Sequence, residues 1–580
     1  MSRRATFSAL LLSLAAVSAL VGLPALGIPY QGPPAWTGAP VFDQARAFAF
    51  AETLAVRFPR RWSGSPDRQA AADWLSQTLA DLGLKVQRHR FSAALGVAAP
   101  VTMENVWAVS RGGERPDEII VPLGNYDMAP TSFQAASDTA GHVGTLLELA
   151  RVIHAAPHRR TFVFVFPDGE EWGMLGARHF ARTFGDRAKI VAAFSIEDLD
   201  VGEMRALGID GVGQFRGFAP MWMRALAADA ARLEGLPVEE VPPLLEWLQR
   251  SLLVSSTDQG PLLGQGIPAV DLAGRSAETA LKDRIYHLPG DTIEHMRPEA
   301  FRTYGRTQER VLRAVDAMPE VPRESGTYLR LGPDRIVPGG PLVAVQVGVF
   351  LPLLVAVVSR SRAHLLLAAP PAAPAASWAA FRAESRALGA LCGVLAAGLL
   401  AVKALPRLGL IPAYELYPPP PRHPELTSVP WPAVVVGALI LLAVVWQVRR
   451  CARAREVAPA ARGAVALLWL LAVSVIALSD NPFGAVTFLL LPALLWIWPQ
   501  PSLSRGRRVG NGLLVLLGFG TIVLLVVQYA QTLRIGSYIL WYLMMSLAYG
   551  QFTLLRILLA LATIAIGLRL LVLTVSRRLP

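Results

Sequence analysis

A series of long apolar runs fills the chain from residue 340 to the C-terminus, and nothing else in the sequence constrains the fold as strongly. Crossing a hydrocarbon core about 30 Å thick takes roughly 20 apolar residues in a helix. Leu342–Val358, Leu388–Leu405, Trp431–Val448, Gly463–Leu478, Phe483–Trp498 and Leu513–Tyr529 approach that length. Ile535–Val575 is long enough for two crossings broken near Tyr549-Gly550-Gln551. One such run is explained by a buried core helix, but a series is not. The reading is an α-helical polytopic membrane domain over residues 340–580, with seven or eight helices.

The charges follow the same division. Of 55 Lys+Arg and 43 Asp+Glu in 580 residues, the part from Gly340 onward carries 20 basic and 5 acidic residues, a net +15. The first 339 residues are left at −3. The positive charge lies between apolar runs, which excludes a nucleic-acid-binding reading of the basic balance. Arg360, Arg362, Arg382 and Arg386 follow the first run; Arg449, Arg450, Arg453, Arg455 and Arg462 the third; Arg505, Arg507 and Arg508 the fifth. Arginine in alternate loops marks the cytoplasmic side. The proline-rich loop at Tyr417–Pro421 and everything before Leu342 then lie outside the cytoplasm, in a multi-pass protein of the lipid bilayer. Eight crossings would put Arg577 and Arg578 on the wrong side. Residues 1–30, with Ser2-Arg3-Arg4 before an apolar stretch, read as a signal peptide or a signal anchor. Cys392 and Cys451 both fall after residue 340, so the exported part has no disulfide. Ala368–Ala379 reads as an Ala/Pro-rich linker.

Residues 31–330 form the other domain. Phe42–Phe58 and Asp67–Leu84 have helical periodicity. Strand patterns at Asn105–Val109, Glu118–Leu123, Thr161–Phe166 and Ile190–Ile196 alternate with helical ones at Gly141–His154, Leu175–Phe184 and Met221–Leu233. Near-continuous apolar strands between helices predict an α/β fold: a mixed, mainly parallel sheet with helices on both faces. Gly208–Gly217 reads as a loop. His154, His158 and His179, on or beside helices, read as surface or packing residues.

Ligand-binding groups in such sheets collect past the carboxyl ends of the strands. There the sequence places Asp127 after Glu118–Leu123, Asp138 at the head of Gly141–His154, Asp168-Gly169-Glu170-Glu171 after Thr161–Phe166, and Glu197-Asp198 after Ile190–Ile196. His287 follows far downstream in Tyr286-His287-Leu288-Pro289-Gly290-Asp291-Thr292. Each acid alone is explained by a helix cap or a solvated turn. Together with an imidazole they make a zinc-type ligand set. Consecutive side chains diverge at a strand end, so Glu171 can bind a metal while Glu170 reaches the water that the metal acidifies.

Over about Pro116–Thr292 the chain resembles the M28 family of zinc exopeptidases, which holds aminopeptidases and glutaminyl cyclases. The resemblance is carried by Asp138-Thr139-Ala140-Gly141 leading into Leu146–Arg151, by Asp168–Phe180, by Gly266-Ile267-Pro268-Ala269, and by Tyr286-His287 with Asp291-Thr292. It implies a zinc exopeptidase-like fold and one or two zinc ions. Asp138 bridges them, and Glu171 and His287 complete the first site. Glu197 and a histidine two residues before Asp127 hold the second, Asp127 supports that histidine, and Glu170 is the general base and acid. The chain departs from the pattern at Asn125, where that histidine is missing, and at Ser256-Thr257-Asp258-Gln259, where Ser-Asp-His is usual. Glu197 replaces a commoner aspartate, with Asp198 as a fallback ligand. The layout of span, exported domain and multi-span region is similar to membrane-anchored members such as vacuolar and endoplasmic reticulum metallopeptidases. The resemblance therefore implies a membrane-anchored aminopeptidase acting on peptides. A single-zinc glutaminyl cyclase-like enzyme and a non-catalytic peptide-binding module with a degenerate metal site are the alternatives. No protein partner can be named.

Overall fold

A computed structural model describes residues 3–94, 100–365, 373–410, 429–453, 459–532, 535–548 and 550–575. The Tyr417–Pro421 loop, Arg455, Tyr549, Arg577, Arg578 and the first part of the Ala368–Ala379 linker lie outside the described residues. The chain divides into two compact units. One comprises Pro29–Gln249 with Leu253–Ile336, and the other Met1–Ile28, Arg250–Leu252 and Val337–Pro580.

Among the described residues the first unit is built on one sheet of eight strands: β1 (Lys85–Ala94), β2 (Pro100–Ser110), β3 (Arg115–Leu123), β4 (Arg160–Phe166), β5 (Ile190–Glu197), β6 (Met204–Asp210), β7 (Val238–Glu239) and β8 (Ala269–Ser276). Their order across the sheet is β1-β2-β4-β3-β5-β8-β6-β7. β4, β3, β5 and β8 run parallel at the centre. β1 and β2 are antiparallel additions at one edge, and β6 pairs antiparallel with β8 at the other. The expected mixed, mainly parallel sheet is therefore present.

Alternation along β4 shows how the two faces are covered. Phe162, Phe164 and Phe166 enter one core with α1 (Gln44–Arg57), α2 (Pro66–Asp81), α3 (Gly141–His154), α5 (Met221–Leu233) and α7 (Pro298–Ala317). Val163 and Val165 enter the other with α4 (Leu175–Thr183) and α6 (Gln259–Gly264). At about 1.5–3 kcal/mol per buried large apolar side chain, the five consecutive apolar positions after Thr161 secure β4 on both faces. Asp43 caps α1 by accepting from the backbone N–H groups of Ala45 and Arg46, and Ser65 caps α2 through Arg68 N. Gly208–Asp210, read above as loop, belongs to β6. Glycine there leaves room for the Arg275 side chain from β8, whose Nε would lie 2.4 Å from an added Cβ.

Among the described residues of the second unit five helices are long and apolar enough to cross a membrane, or six if the pair Arg505–Gly518 and Gly520–Gln531, bent by 48°, is one span. Polar contacts set their directions. Glu384, fully buried near the start of Ala373–Arg407, accepts from Arg462 Nε and Arg569 Nε, both at 2.8 Å. Arg462 stands near the start of Pro459–Asp480, but Arg569 stands in the last two turns of Leu554–Val575. At the opposite ends Arg556 Nε donates to Asp480, 2.8 Å away. The last helix is therefore antiparallel to the other two. Arg360 Nη2 donates to Ile497 O (2.6 Å) and Pro499 O (3.2 Å), and Asn511 Nδ2 to Gln500 O (2.6 Å) and Thr574 O (3.4 Å). These contacts gather Arg360, Glu384, Arg462, Pro499, Asn511 and Thr574 at one end of the unit. Helix Pro482–Leu495 thus runs from the Asp480 end to the Arg360 end, although its 14 residues extend only about 21 Å. Ile539–Ala548 has 10 residues. The N-terminal helix Arg3–Val21 packs on Leu351–Leu365.

Candidate metal centre

Because β3, β4 and β5 are parallel neighbours, their carboxyl ends open on one edge of the sheet, and the chemistry-bearing residues sit there. Gly169, at φ +85°, turns the chain sharply after Asp168; a Cβ there would lie 2.9 Å from Met103 Sδ. That turn presents Glu170 and Glu171. Asp138 sits in a five-residue π-turn, Ala136–Ala140, at φ −135° and ψ 83°, entered through the left-handed residues Gln134 and Ala135. Strained backbone persists only where its surroundings over-determine it. Here the buried Arg61 guanidinium does so, donating to Tyr126 O (3.0 Å), Ala135 O (2.9 Å), Thr139 Oγ1 (3.1 Å) and Gln134 O (2.5 Å). Asp291 accepts from Ser137 N (2.9 Å) and Asp138 N (3.3 Å). His287 is also left-handed, at φ +57°, with its carbonyl taken by Thr131 Oγ1 at 2.7 Å and its ring stacked on Tyr286.

Asp138, Glu171 and His287 converge. Among the described residues theirs is the group of three or more whose ligand atoms all lie within 4.8 Å of one another. His287 Nε2 is 3.1 Å from Asp138 Oδ2 and 3.3 Å from Glu171 Oε2. Ligand atoms around a tetrahedral zinc at about 2.0–2.2 Å stand roughly 3.3–3.5 Å apart, so the trio fits such an ion in donor type and spacing. Without a cation, burial works against charge on His287, but the Glu171 and Asp138 carboxylates outweigh it and push the imidazole up to about 10. The same pairing outweighs burial at Asp138 and lowers its carboxyl. Glu170 beside them is pushed well above the ordinary range by burial and by Glu171, Glu197, Asp258 and Asp138. Metal and proton compete for this crevice.

The other expected residues take different positions. Asp127 is buried and accepts from Glu170 N at 3.1 Å, from Ser63 Oγ at 3.2 Å and from Asn125 Nδ2 at 3.3 Å. Its carboxylate fixes the backbone of Glu170. Glu197 lies outside the trio: its Oε1 accepts from Ser195 Oγ (2.6 Å) and Asp258 N (2.8 Å). Asp198 is paired with Lys282. Two residues given no role by the sequence also belong here, Asp258 from the Ser256–Gln259 segment and His142. Asp258 is fully buried, both its oxygens lack a hydrogen-bond partner, and burial together with Asp127 raises its carboxyl. His142, fully buried on α3, bonds Asn125 O at 2.9 Å. Its position one turn beyond Asp138 was a possible signal.

A carboxylate–imidazole trio at the strand ends of a parallel-centred sheet makes this crevice a candidate metal centre. Residues 105–312 match peptidase family M28. A probable zinc metalloprotease of Pyrenophora teres f. teres is 30% identical over 138 residues, which is 23% of this chain and 28% of that one. An aminopeptidase of Bacillus subtilis is 23% identical over 200 residues, 33% of this chain and 40% of that one. The chain thus spans well under half the length of these curated relatives. Porphyromonas gingivalis glutaminyl cyclase aligns in structure with a TM-score of 0.40 at 20% identity, covering 47% of this chain and 99% of that one.

Proposed function

We propose that this protein is a membrane-anchored zinc aminopeptidase that hydrolyses the N-terminal residues of peptides outside the cytoplasm. The observation that carries the reading is the convergence of Asp138, Glu171 and His287 with Glu170 next in the chain to one of them. Those three would hold zinc, which when bound supplies Lewis-acid polarisation of the scissile carbonyl. Glu170 accepts the proton of the attacking water and delivers it to the departing amine. Asp127, through Glu170 N, holds that carboxylate in place. Carboxyl groups of Glu171, Glu197, Asp258 and Asp138 surround Glu170, acceptors that suit a free α-ammonium better than an internal segment of chain.

One ion rather than two is favoured by Asn125, an amide where the resemblance places a histidine, with its Nδ2 donating to Asp127, and by Glu197, whose Oε1 already accepts from Ser195 Oγ and Asp258 N. The same observations support a second reading: a one-zinc glutaminyl cyclase, in which the α-amine attacks the γ-carbonyl of N-terminal glutamine and ammonia leaves. Positive-inside logic puts the Arg360–Thr574 end of the membrane unit in the cytoplasm. An even number of crossings then separates Asp480 from Arg556, which supports seven in all, with Ile539–Ala548 not crossing. The packing of Arg3–Val21 on Leu351–Leu365 supports an anchor.

The test is mass spectrometry of a peptide set incubated with purified full-length protein. The expected result is metal-dependent loss of N-terminal residues, reduced about 10²–10⁴-fold by Glu170→Gln with zinc content unchanged. Loss of ammonia without chain shortening would select the cyclase. Undiminished cleavage in Glu170→Gln would overturn both.

A further inference from the structure

We propose that His89 and His179 form a second, independent site for a divalent transition metal, which ties the edge strand β1 to helix α4. Their Nε2 atoms stand 3.5 Å apart, with the ring centroids 4.6 Å apart and the rings tilted at 58°. That is long for an N–H···N hydrogen bond, which prefers about 2.9–3.0 Å. It matches the separation of about 3.4 Å between two imidazole nitrogens on a tetrahedral metal at roughly 2.0–2.1 Å. Both rings are already oriented. His179 is stacked on Phe91 with centroids 4.3 Å apart, and His89 meets Trp107 edge to face at 5.9 Å. Two half-buried imidazoles with no carboxylate between them select a borderline-soft ion such as zinc or copper(II) over calcium or magnesium.

Open space adjoins one of the two rings: His89, though not His179, lines a cavity of about 550 Å³ together with Gln87, Trp107, Phe180, Phe184 and Asp186. Trp107 is 8% exposed, yet its Nε1–H has no hydrogen-bond partner among the described residues. A buried indole N–H without an acceptor is costly, and a water or anion completing the metal's coordination would satisfy it. The site has a physical purpose. Among the described residues β1 pairs with β2 alone, and both cysteines, Cys392 and Cys451, lie in the other unit. A metal clip between strand and helix supplies a crosslink that no disulfide here provides.

The experiment uses untagged full-length protein in detergent, stripped of metal and titrated with Cu²⁺ alone, read by electron paramagnetic resonance and by thermal unfolding. Wild type should take up one copper with a two-nitrogen equatorial signature beyond that bound at the acidic crevice, and should unfold at a higher temperature with it. His89→Ala and His179→Ala should each lose that signature and bind the ion at least roughly tenfold more weakly. Both should keep wild-type peptide turnover, which separates the clip from the crevice and shows that the domain has folded. His89→Asn serves as the milder variant should His89→Ala unfold. Copper uptake and spectra unchanged in the variants, or no two-nitrogen copper in wild type, would overturn the proposal.

Discussion

The two units treat buried charge in opposite ways. In the helical unit Glu384 is fully buried between Arg462 and Arg569, and Asp480 is matched by Arg556. In the sheet domain Glu170, Glu197 and Asp258 crowd one crevice with carboxyls raised by burial and mutual repulsion. Desolvated charge is expensive unless paired. A matched set therefore serves architecture, and an unmatched one waits for a cation from outside the chain. The comparison teaches which acids to regard as functional: those whose partner the protein does not itself supply.

Substitution should expose this contrast most strongly at its extremes. Glu384→Leu strands two buried guanidinium groups and should cost about 3–5 kcal/mol, seen as lost yield or a lowered unfolding midpoint in detergent. Glu170→Gln removes repulsion instead, so the midpoint of the metal-free protein should stay level or rise. A fall in the second case would break the comparison. Next in size, Asp127→Asn should lower kcat by roughly tenfold or more through misplacement of Glu170, with KM and zinc content nearly unchanged. A lost zinc ion would instead make Asp127 part of the metal site.

Smaller effects sharpen the reading. Asn125→His should leave zinc content near one per chain by elemental analysis, because Glu197 stays engaged by Ser195 and Asp258; a clear rise towards two would show that the imidazole alone was missing. Smallest is a pH effect at Asp168, whose carboxyl is pushed up to about 7 by burial and by Asp127. A raised folded-state value means its contribution to stability is complete below the unfolded value of about 3.9 and is lost as pH rises through about 7. Asp168→Asn should flatten the decline in unfolding midpoint between pH 5 and pH 8.

The strands and helices nearest the core were the legible part of the fold. β4 is apolar from Phe162 to Phe166 because both faces are covered, and α3 runs from Gly141 to His154 as its periodicity implies. β1 escaped notice because an edge strand reading Lys-Val-Gln-Arg-His-Arg has little apolar surface to bury. β6 was obscured by Gly208, kept small for Arg275. In the site, the acids and His287 were legible as a set of ligand types, and their assignment to roles rested on resemblance to a family. The same holds for the membrane half, where apolar length marked the helices but left their number at seven or eight.

What remained depended on contacts between residues far apart in the chain. No local pattern says that Asp127 faces Glu170 N, that Glu197 turns to Asp258, or that two histidines 90 positions apart share a gap of 3.5 Å. Nor does it say that Arg569 lies level with Arg462. Periodicity and burial are properties of neighbouring residues, so the one-dimensional order suffices to place strands, helices and membrane runs. A hydrogen bond or a ligand distance is set within tenths of an ångström by packing from every side, and only the folded chain decides it.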